Sequence, residues 1–324
     1  MSSTNEATPI SIKIYYVICS FSVAFAVTAV TISITILALT WKVKRRLHTV
    51  RHLLTCNTCV ASIFYCCVQT INYVYLIFLP NETSDIGCRW RGYLSYITIC
   101  GVAYSFLIQG ISRLFIFLFS IKYPRLTTLK THYLMIVIQW LLAVFIPLST
   151  IITDDIYFRP VTLCWVPLKK IVHVIYTFSA CYVVPVITVF LIYGSLYYYV
   201  KQSTKRTVAP TGLINNFKRD LELLRNIVIL LMIYLAGGIP SLLFLLTAKQ
   251  IFYLIGIVTI SLMICIEKVC TILLDRDLLN IIKKLLRKKT RVVPFNNIGI
   301  DIKIHGAIPN APETLKPSPS NKQT

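Results

Sequence analysis

Residues 14–41 read IYYVICSFSVAFAVTAVTISITILALTW and contain no charged side chain. A helix needs about 20 apolar residues to cross a hydrocarbon core about 30 Å thick, so this segment is long enough to span a membrane. Strands of a membrane barrel alternate polar and apolar residues, which this segment does not do. Six further apolar segments follow: 53–79, 93–119, 133–152, 174–200, 226–248 and 251–274. The sequence therefore predicts an all-α fold, a seven-transmembrane helix bundle.

The overall composition excludes the common classes of soluble protein. Hydrophobic residues make up 56% of the chain and charged residues 14%, whereas soluble domains average about 45–50% and about 25%. The chain is also too hydrophobic to be disordered. The 33 basic residues against 12 acidic ones would suggest a nucleic-acid partner for a soluble protein. In a membrane protein the first explanation of such an excess is topology.

The basic residues are concentrated on one side of the predicted bundle. Twenty-one Lys and Arg lie in the first, third and fifth loops and directly after the seventh segment, against seven on the other side. Because cytoplasmic loops retain positive charge, we expect an extracellular N-terminus, a cytoplasmic C-terminus and a multi-pass protein of the plasma membrane. This topology accounts for the net charge, so no nucleic-acid partner is expected.

Three short regions flank the transmembrane domain, which we place at residues 14–274. Residues 1–13 are predicted to be an extracellular N-terminus, too short to fold as a ligand-capturing domain. Residues 275–290 carry Leu and Ile at helical spacing with Lys and Arg between them. This pattern predicts a C-terminal amphipathic juxtamembrane helix on inner-leaflet lipids, with a solvated helix as the alternative. Residues 291–324, rich in Pro, Asn, Lys and Ser, are predicted to be a disordered cytoplasmic tail.

Single residues near the ends and middles of the segments form a specific register. In chain order they are Cys88, Arg113, Trp140, Cys164, Pro185, Tyr193 and Pro240. Arg113 follows Cys88 by 25 residues, and Tyr193 follows Pro185 by eight. With this register, over residues 14–290, the chain resembles a divergent rhodopsin-like (class A) G-protein-coupled receptor. The resemblance implies an extracellular ligand and a heterotrimeric G protein on the cytoplasmic face as partners.

At the outer end, the resemblance implies a disulfide between Cys88 and Cys164, which would pin the second extracellular loop over the mouth of the bundle. These are the two cysteines that lie outside the predicted membrane segments, in the oxidising compartment. Within the bundle it implies helix kinks at Pro185 and Pro240. Asn81 begins a glycosylation sequon, but it emerges directly from the second segment, so its occupancy stays open.

At the inner end, the resemblance implies that Arg113 is the G-protein switch, together with Tyr193. An acidic residue normally precedes this arginine, but Ser112 stands there. We therefore expect Asp220, at the cytoplasmic start of the sixth segment, to hold Arg113 at rest, with Glu222 as a fallback. The alternatives are an Arg113 side chain that extends to the interface and an Asp220 paired with nearby basic residues.

The chain departs from the family's pattern within the bundle. The family's tryptophan in the sixth segment is Gly238 here, its aspartate in the second is Ser62, and its asparagine in the seventh is Glu267. We expect Glu267 and Ser62 to form the polar centre of the bundle, with Lys268 pointing elsewhere, towards the inner leaflet. No cofactor is expected, although a weak sodium site is compatible with this pair. An ion pair between Glu267 and another cation is the alternative.

The predicted mouth of the bundle gives limited information on the ligand. The position of the amine-binding aspartate holds Ser95, and the position of the retinal lysine holds Ser261. The aromatic residues expected to line the mouth are Tyr96, Tyr104, Tyr176 and Tyr182. Such residues suit a peptide ligand, and equally a belt at the lipid interface.

Two other functional classes are weaker fits. A transporter or channel would show internal repeats and intramembrane charges, and only Glu267 and Lys268 could serve as such charges. An intramembrane enzyme would need clustered acids or histidines, but His132 and His173 are isolated near segment ends. The cysteines of the second segment lack histidine partners, so we expect them to pack against neighbours and bind no metal. We therefore expect a receptor without enzymatic activity.

Overall fold

The computed structural model describes residues 12–42, 50–78, 84–116, 123–158, 163–206 and 211–289. Among these residues there is no strand, and seven helices are long and apolar enough to cross a membrane. The predicted all-α class and seven-span architecture are confirmed. The predicted tail 291–324 and most of the N-terminal region 1–13 lie outside the described residues.

The helices are named as spans in chain order. Span one is Ile12–Lys42, span two Val50–Phe78, span three Asp85–Leu114, and span four Leu129–Phe145, continued by Leu148–Ile152. Span five comprises Ile171–Phe178, the π-helix Ser179–Val183 and Val184–Arg206. Span six is Thr211–Thr247, span seven Gln250–Leu274, and the C-terminal helix Arg276–Lys289. Short 3-10 turns, Pro124–Thr127 and Leu168–Lys170, precede spans four and five.

Span three is the central helix of the bundle. It packs against spans two, four, five and six. Of its most apolar stretch, 67% is buried within the protein, against 44% or less for the other spans. Large apolar side chains on outer faces, such as Leu134 and Leu191, remain exposed, as expected where lipid tails surround the helices.

A polar network holds spans two, three and four together. The Asn57 side-chain amide donates to Gln139 Oε1 over 2.6 Å, and Gln139 Nε2 donates to the Gly101 carbonyl over 2.8 Å. Trp140 Nε1 donates to Asn57 Oδ1 over 3.1 Å. Because no water satisfies polar groups in lipid, these side chains find partners in one another and fix the position of span four.

Span five is irregular immediately before Pro185. A proline has no N–H, so the carbonyl of Cys181, four residues earlier, has no helical donor at that position. The chain widens there into the π-helix, and Cys181 is buried against span three. A second disulfide, between Cys100 and Cys181 with Cα atoms 4.9 Å apart, joins spans three and five.

Spans six and seven approach closely at Gly237. A Cβ placed on Gly237 would lie 3.0 Å from the Cβ of Met263 and 3.2 Å from the Cα of Ile260. A larger residue at this position would therefore push the helices apart. The hydroxyl of Thr259 donates to the Gly237 carbonyl over 3.0 Å. Pro240 lies inside the span-six helix, one turn after this contact.

The C-terminal helix begins at Arg276, close to the predicted start at residue 275. Asp275 caps it, because its Oδ1 accepts from the Leu278 N–H over 3.3 Å. The same carboxylate pairs with Arg51 of span two over 3.0 Å. Leu278 is buried in a cluster with Ile36 and Cys59, so the first turn of this helix packs against spans one and two.

Candidate functional site

A cavity of about 470 Å³ opens among spans three, five, six and seven, at the end of the bundle where Cys88 and Cys164 lie. We call this end the outer end and the opposite one the inner end. The segment Leu163–Lys169 lies across the mouth and contributes most of its residues to the lining. We call this segment the roof.

The roof is attached to the bundle at several points. Cys164 forms a disulfide with Cys88, with 5.2 Å between their Cα atoms. The Leu163 N–H donates to the Tyr253 hydroxyl over 2.7 Å, and the Val166 N–H donates to the Tyr96 hydroxyl over 3.2 Å. These bonds reach spans seven and three respectively, so the roof holds a fixed position over the cavity.

Gly92 allows the roof to lie this close to span three. A Cβ on this residue would come 2.1 Å from the carbonyl oxygen of Cys164 and 2.9 Å from the side chain of Ile156. No real side chain fits there without moving the roof backbone. Gly92 lies about one helical turn after Cys88 in span three.

A column of aromatic rings forms one wall of the cavity. The Phe178 and Tyr182 rings of span five stack with centroids 5.5 Å apart. Tyr182 stacks on Tyr234 of span six at 5.7 Å, and Tyr234 lies 6.0 Å from Phe106 of span three. The first three rings line the cavity and Phe106 is fully buried. The column therefore runs from the cavity wall into the core.

Gly238 makes room for Tyr182 in this column. A Cβ on Gly238 would lie 2.9 Å from the Tyr182 ring and from its hydroxyl oxygen. Gly238 stands where the rhodopsin-like receptors that the sequence resembles have a tryptophan. Here an aromatic side chain from span five occupies the space beside the span-six backbone.

The predicted aromatic residues divide into two pairs. Tyr96 and Tyr182 line the cavity. Tyr104 instead donates to the carbonyl of Ala180 over 3.1 Å, and Tyr176 donates to that of Ile146 over 3.1 Å. Neither of these two lines the cavity, so the prediction that they do is wrong, because helix rotation turns both towards neighbouring backbones.

Charge is almost absent from the cavity wall. Of the described residues that line it, Lys169 alone is charged. The nearby acids have partners elsewhere: Asp154 pairs with Arg89 over 2.5 Å. Asp155 pairs with Lys170 over 3.2 Å and with His173.

The environment of Asp155 stabilises its charged form. Its side chain is 2% exposed, and burial alone would raise the pKa of the carboxyl. Hydrogen bonds from Thr153, Lys170 and His173 outweigh burial and lower the pKa below its usual value. This cluster anchors the chain between spans four and five.

The polar centre differs from the prediction at Lys268. Its side chain is completely buried and its Nζ lies 2.8 Å from Glu267 Oε2. The prediction that it points away towards the inner leaflet is therefore wrong. The long, flexible side chain of Lys268 allows its ammonium group to reach the carboxylate of Glu267. This pairing is favoured because a buried charge without a partner costs more free energy than a buried ion pair. Ser62 is buried too, but its hydroxyl has no hydrogen-bond partner among the described residues.

Lys268 is the counter-ion of Glu267, and neighbouring groups form further hydrogen bonds with both residues. Thr271 Oγ1 donates to the Glu267 backbone carbonyl over 2.9 Å and also lies 3.2 Å from Glu267 Oε1. Lys268 Nζ donates to the Thr58 carbonyl over 3.5 Å. A sodium ion at this carboxylate would have to displace the ammonium, so these residues do not suit sodium. The described residues also contain no group of three or more His, Cys, Asp or Glu arranged to hold a metal.

At the inner end, Ser112 is bonded to span four. Its hydroxyl lies 2.8 Å from His132 Nε2, and His132 Nδ1 lies 2.8 Å from the carbonyl of Thr128. Since a carbonyl only accepts, Nδ1 donates to it, and Nε2 shares the second hydrogen bond with the Ser112 hydroxyl. Ser112 and His132 are both buried. The serine next to Arg113 thus serves to join two spans.

Of the remaining predicted switch residues, the structure describes the side chains of Arg113 and Tyr193. Arg113 is half-buried near the end of span three. Tyr193 stacks on Tyr197 within span five at 6.4 Å. The side chains of Asp220 and Glu222 lie outside the described part of the chain, as does Asn81. The Asp220–Arg113 contact therefore stays a prediction.

Comparison with known families agrees with this architecture. Residues 26–274 match the model of the family described as serpentine type 7TM GPCR chemoreceptor Srsx. The chain belongs to this family of seven-transmembrane, G-protein-coupled chemoreceptors. A search of the curated proteins finds no match. The finer resemblance to rhodopsin-like receptors rests on the residue register described above.

Proposed function

We propose that the protein is a plasma-membrane chemoreceptor with an extracellular N-terminus, in which a ligand bound in the cavity activates a heterotrimeric G protein on the cytoplasmic face. The observation that carries this proposal is the roofed cavity at the outer end of a chemoreceptor-family bundle. The excess of basic residues on the other side supports the orientation.

The dimensions of the cavity favour a small molecule over a peptide. Its volume of about 470 Å³ lies within the range of about 300–1,000 Å³ that small-molecule pockets occupy. The roof is attached to spans three and seven through Cys164, Leu163 and Val166, so it forms a fixed part of the wall of this small cavity.

The aromatic column supports a route from the ligand to span six. A ligand against Tyr182 also acts on Gly238 and Tyr234, because both contact the same ring. A bound molecule that prefers one arrangement of these rings shifts the population of bundle states. In the proposed active state the inner end opens around Arg113 for the G protein.

Nucleotide exchange tests this function. Membranes bearing the receptor, incubated without ligand and then with an odorant panel, should accelerate guanine-nucleotide exchange on at least one class of heterotrimer. Arg113→Ala should abolish the acceleration, whereas Arg125→Ala, which alters an exposed arginine at the same end, should retain it. Exchange equal to that of receptor-free membranes across all Gα classes would contradict the proposal.

A further inference from the structure

The cavity wall contains a buried hydroxyl that makes no well-formed hydrogen bond within the described residues. Tyr234 lines the cavity and is 2% exposed. Its ring stacks on that of Tyr182 and the two hydroxyl groups interact, but within the described residues the Tyr234 hydroxyl makes no hydrogen bond of standard distance and angle. A buried donor in this situation gains from a ligand atom that can accept from it.

The lining around this hydroxyl combines apolar side chains with uncharged polar ones, which include Tyr65, Thr177, Tyr182, Ser241 and Gln250. Ile99 of span three, Ile260 of span seven and Phe244 of span six all line the cavity. No carboxylate lies among the described lining residues, and Lys169 belongs to the exposed outer rim. A charged ligand group beside this hydroxyl would lose its hydration without gaining a counter-ion.

We propose that the cavity binds a small uncharged molecule, an apolar ring or chain with one oxygen that accepts a hydrogen bond from the Tyr234 hydroxyl. This inference rests on the receptor function proposed above, and it names the class of ligand. The apolar body fits against the rings of Phe178 and Tyr182, where offset stacking favours a planar group. A cation would find aromatic faces but no carboxylate among the described lining residues, so we expect it to bind more weakly than the uncharged molecule.

A matched set of probes tests the charge requirement. The probes are 2-phenylethanol, 2-phenylethylamine, phenylacetate and ethylbenzene, which share one ring and differ in the polar group. Binding is measured on the purified receptor in nanodiscs, without G protein, by the rise in unfolding temperature and by quenching of tryptophan fluorescence, since Trp165 lines the cavity. We expect the alcohol to bind about tenfold or more tightly than the amine and the acid.

A second comparison tests the role of the hydroxyl. Tyr234→Phe should lower the affinity for 2-phenylethanol by about fivefold to tenfold and leave that for ethylbenzene unchanged. The matched control is Tyr176→Phe, which removes the hydroxyl of an exposed tyrosine outside the cavity. It should leave both affinities as they are.

A charge introduced into the cavity gives the converse result. Ile99→Asp places a carboxylate on the span-three wall and should invert the preference, so that the amine binds more tightly than the alcohol. The variant is compared at equal folded fraction, determined by its elution as a single monodisperse species.

The outcomes separate this inference from the proposed function. Equal or stronger binding of the amine or the acid to the unaltered receptor, or binding of none of the probes, would overturn the uncharged class. An unchanged alcohol preference in Tyr234→Phe would overturn the role of the hydroxyl. Probe binding without nucleotide exchange would uphold the ligand class and count against G-protein coupling alone.

Discussion

The ammonium nitrogen of Lys268 lies 2.8 Å from a carboxylate oxygen of Glu267, the residue directly before it in span seven. Successive residues of a helix point about 100° apart, so the two side chains must bend towards each other to meet. Both are almost completely buried. The polar centre of the bundle is therefore an internal ion pair whose two members lie on one helix.

Removal of one member of this pair should destabilise the bundle. Lys268→Met leaves the Glu267 carboxylate buried without a counter-ion, which costs about 3–5 kcal/mol in comparable sites. We expect a lower unfolding temperature and a reduced amount of receptor at the cell surface. The double variant Glu267→Gln with Lys268→Met, which removes both charges, should recover most of the loss. A single variant as stable as the unaltered receptor would show that the pair contributes nothing.

Sodium should have little effect on this receptor. The ammonium of Lys268 already neutralises Glu267, so an added sodium ion gains no free carboxylate. Replacement of sodium by potassium at constant ionic strength should leave basal nucleotide exchange and unfolding temperature unchanged. If either quantity changes with sodium, and Glu267→Gln abolishes that change, a sodium site exists at Glu267.

The outer disulfide should be needed for surface expression. Cys88 and Cys164 are separated by 76 positions. In the chain-entropy model, a disulfide that closes a loop of this length stabilises the folded protein by about 4–5 kcal/mol. Cys88→Ser should lower surface expression, and Cys88→Ser with Cys164→Ser should be no worse. Cys67→Ser, at an exposed free cysteine of span two, is the matched control. Peptide mass spectrometry without reduction should find the linked pair; two free thiols would refute it.

The predicted contact between Asp220 and Arg113 should restrain basal activity. A charge-assisted hydrogen bond contributes about 1–3 kcal/mol, so its loss shifts a two-state population about fivefold to a hundredfold. Asp220→Asn should therefore raise ligand-free nucleotide exchange at equal expression. Asp220→Glu retains the charge and should stay close to the unaltered receptor. The same basal rate in Asp220→Asn would reject the contact.

Asp155 should make the receptor sensitive to acid at its outer end. Its pKa in the folded state is lowered from the ordinary 3.8, so the carboxylate stabilises the fold fully above that value. This contribution is lost as the pH falls through the lowered pKa. Unfolding temperature measured from neutral pH down to below the ordinary pKa should fall more steeply for the unaltered receptor than for Asp155→Asn. Parallel curves would contradict this assignment.

Features set by hydrophobicity and covalent geometry were accessible from sequence. Segments such as 14–41 are apolar over a full membrane thickness, and Pro185 lacks an amide hydrogen wherever the helix places it. Both predict local structure without knowledge of the neighbours. The pattern of Leu, Ile and Lys after residue 275 likewise predicts the C-terminal helix that begins at Arg276.

Features that depend on helix rotation and on contacts between spans were not accessible. Cys100 and Cys181 look like small buried hydrophobes in apolar segments, but they form a disulfide at the point where span five widens into the π-helix. The inward turn of Lys268 depends on the length of its stem and on a dry environment. The partner of His132 lies 20 positions earlier on another helix, and its position near a segment end gave no signal of this contact.

The close approach at Gly237 also determines how the bundle can move. The backbones of spans six and seven are in contact there, and Thr259 of span seven holds the Gly237 carbonyl. If span six bends at Pro240, we expect span seven to follow it, because the two helices are in contact at Gly237, on the inner side of the proline. We therefore expect spans six and seven to move together below Pro240, and the Glu267–Lys268 ion pair to move with them.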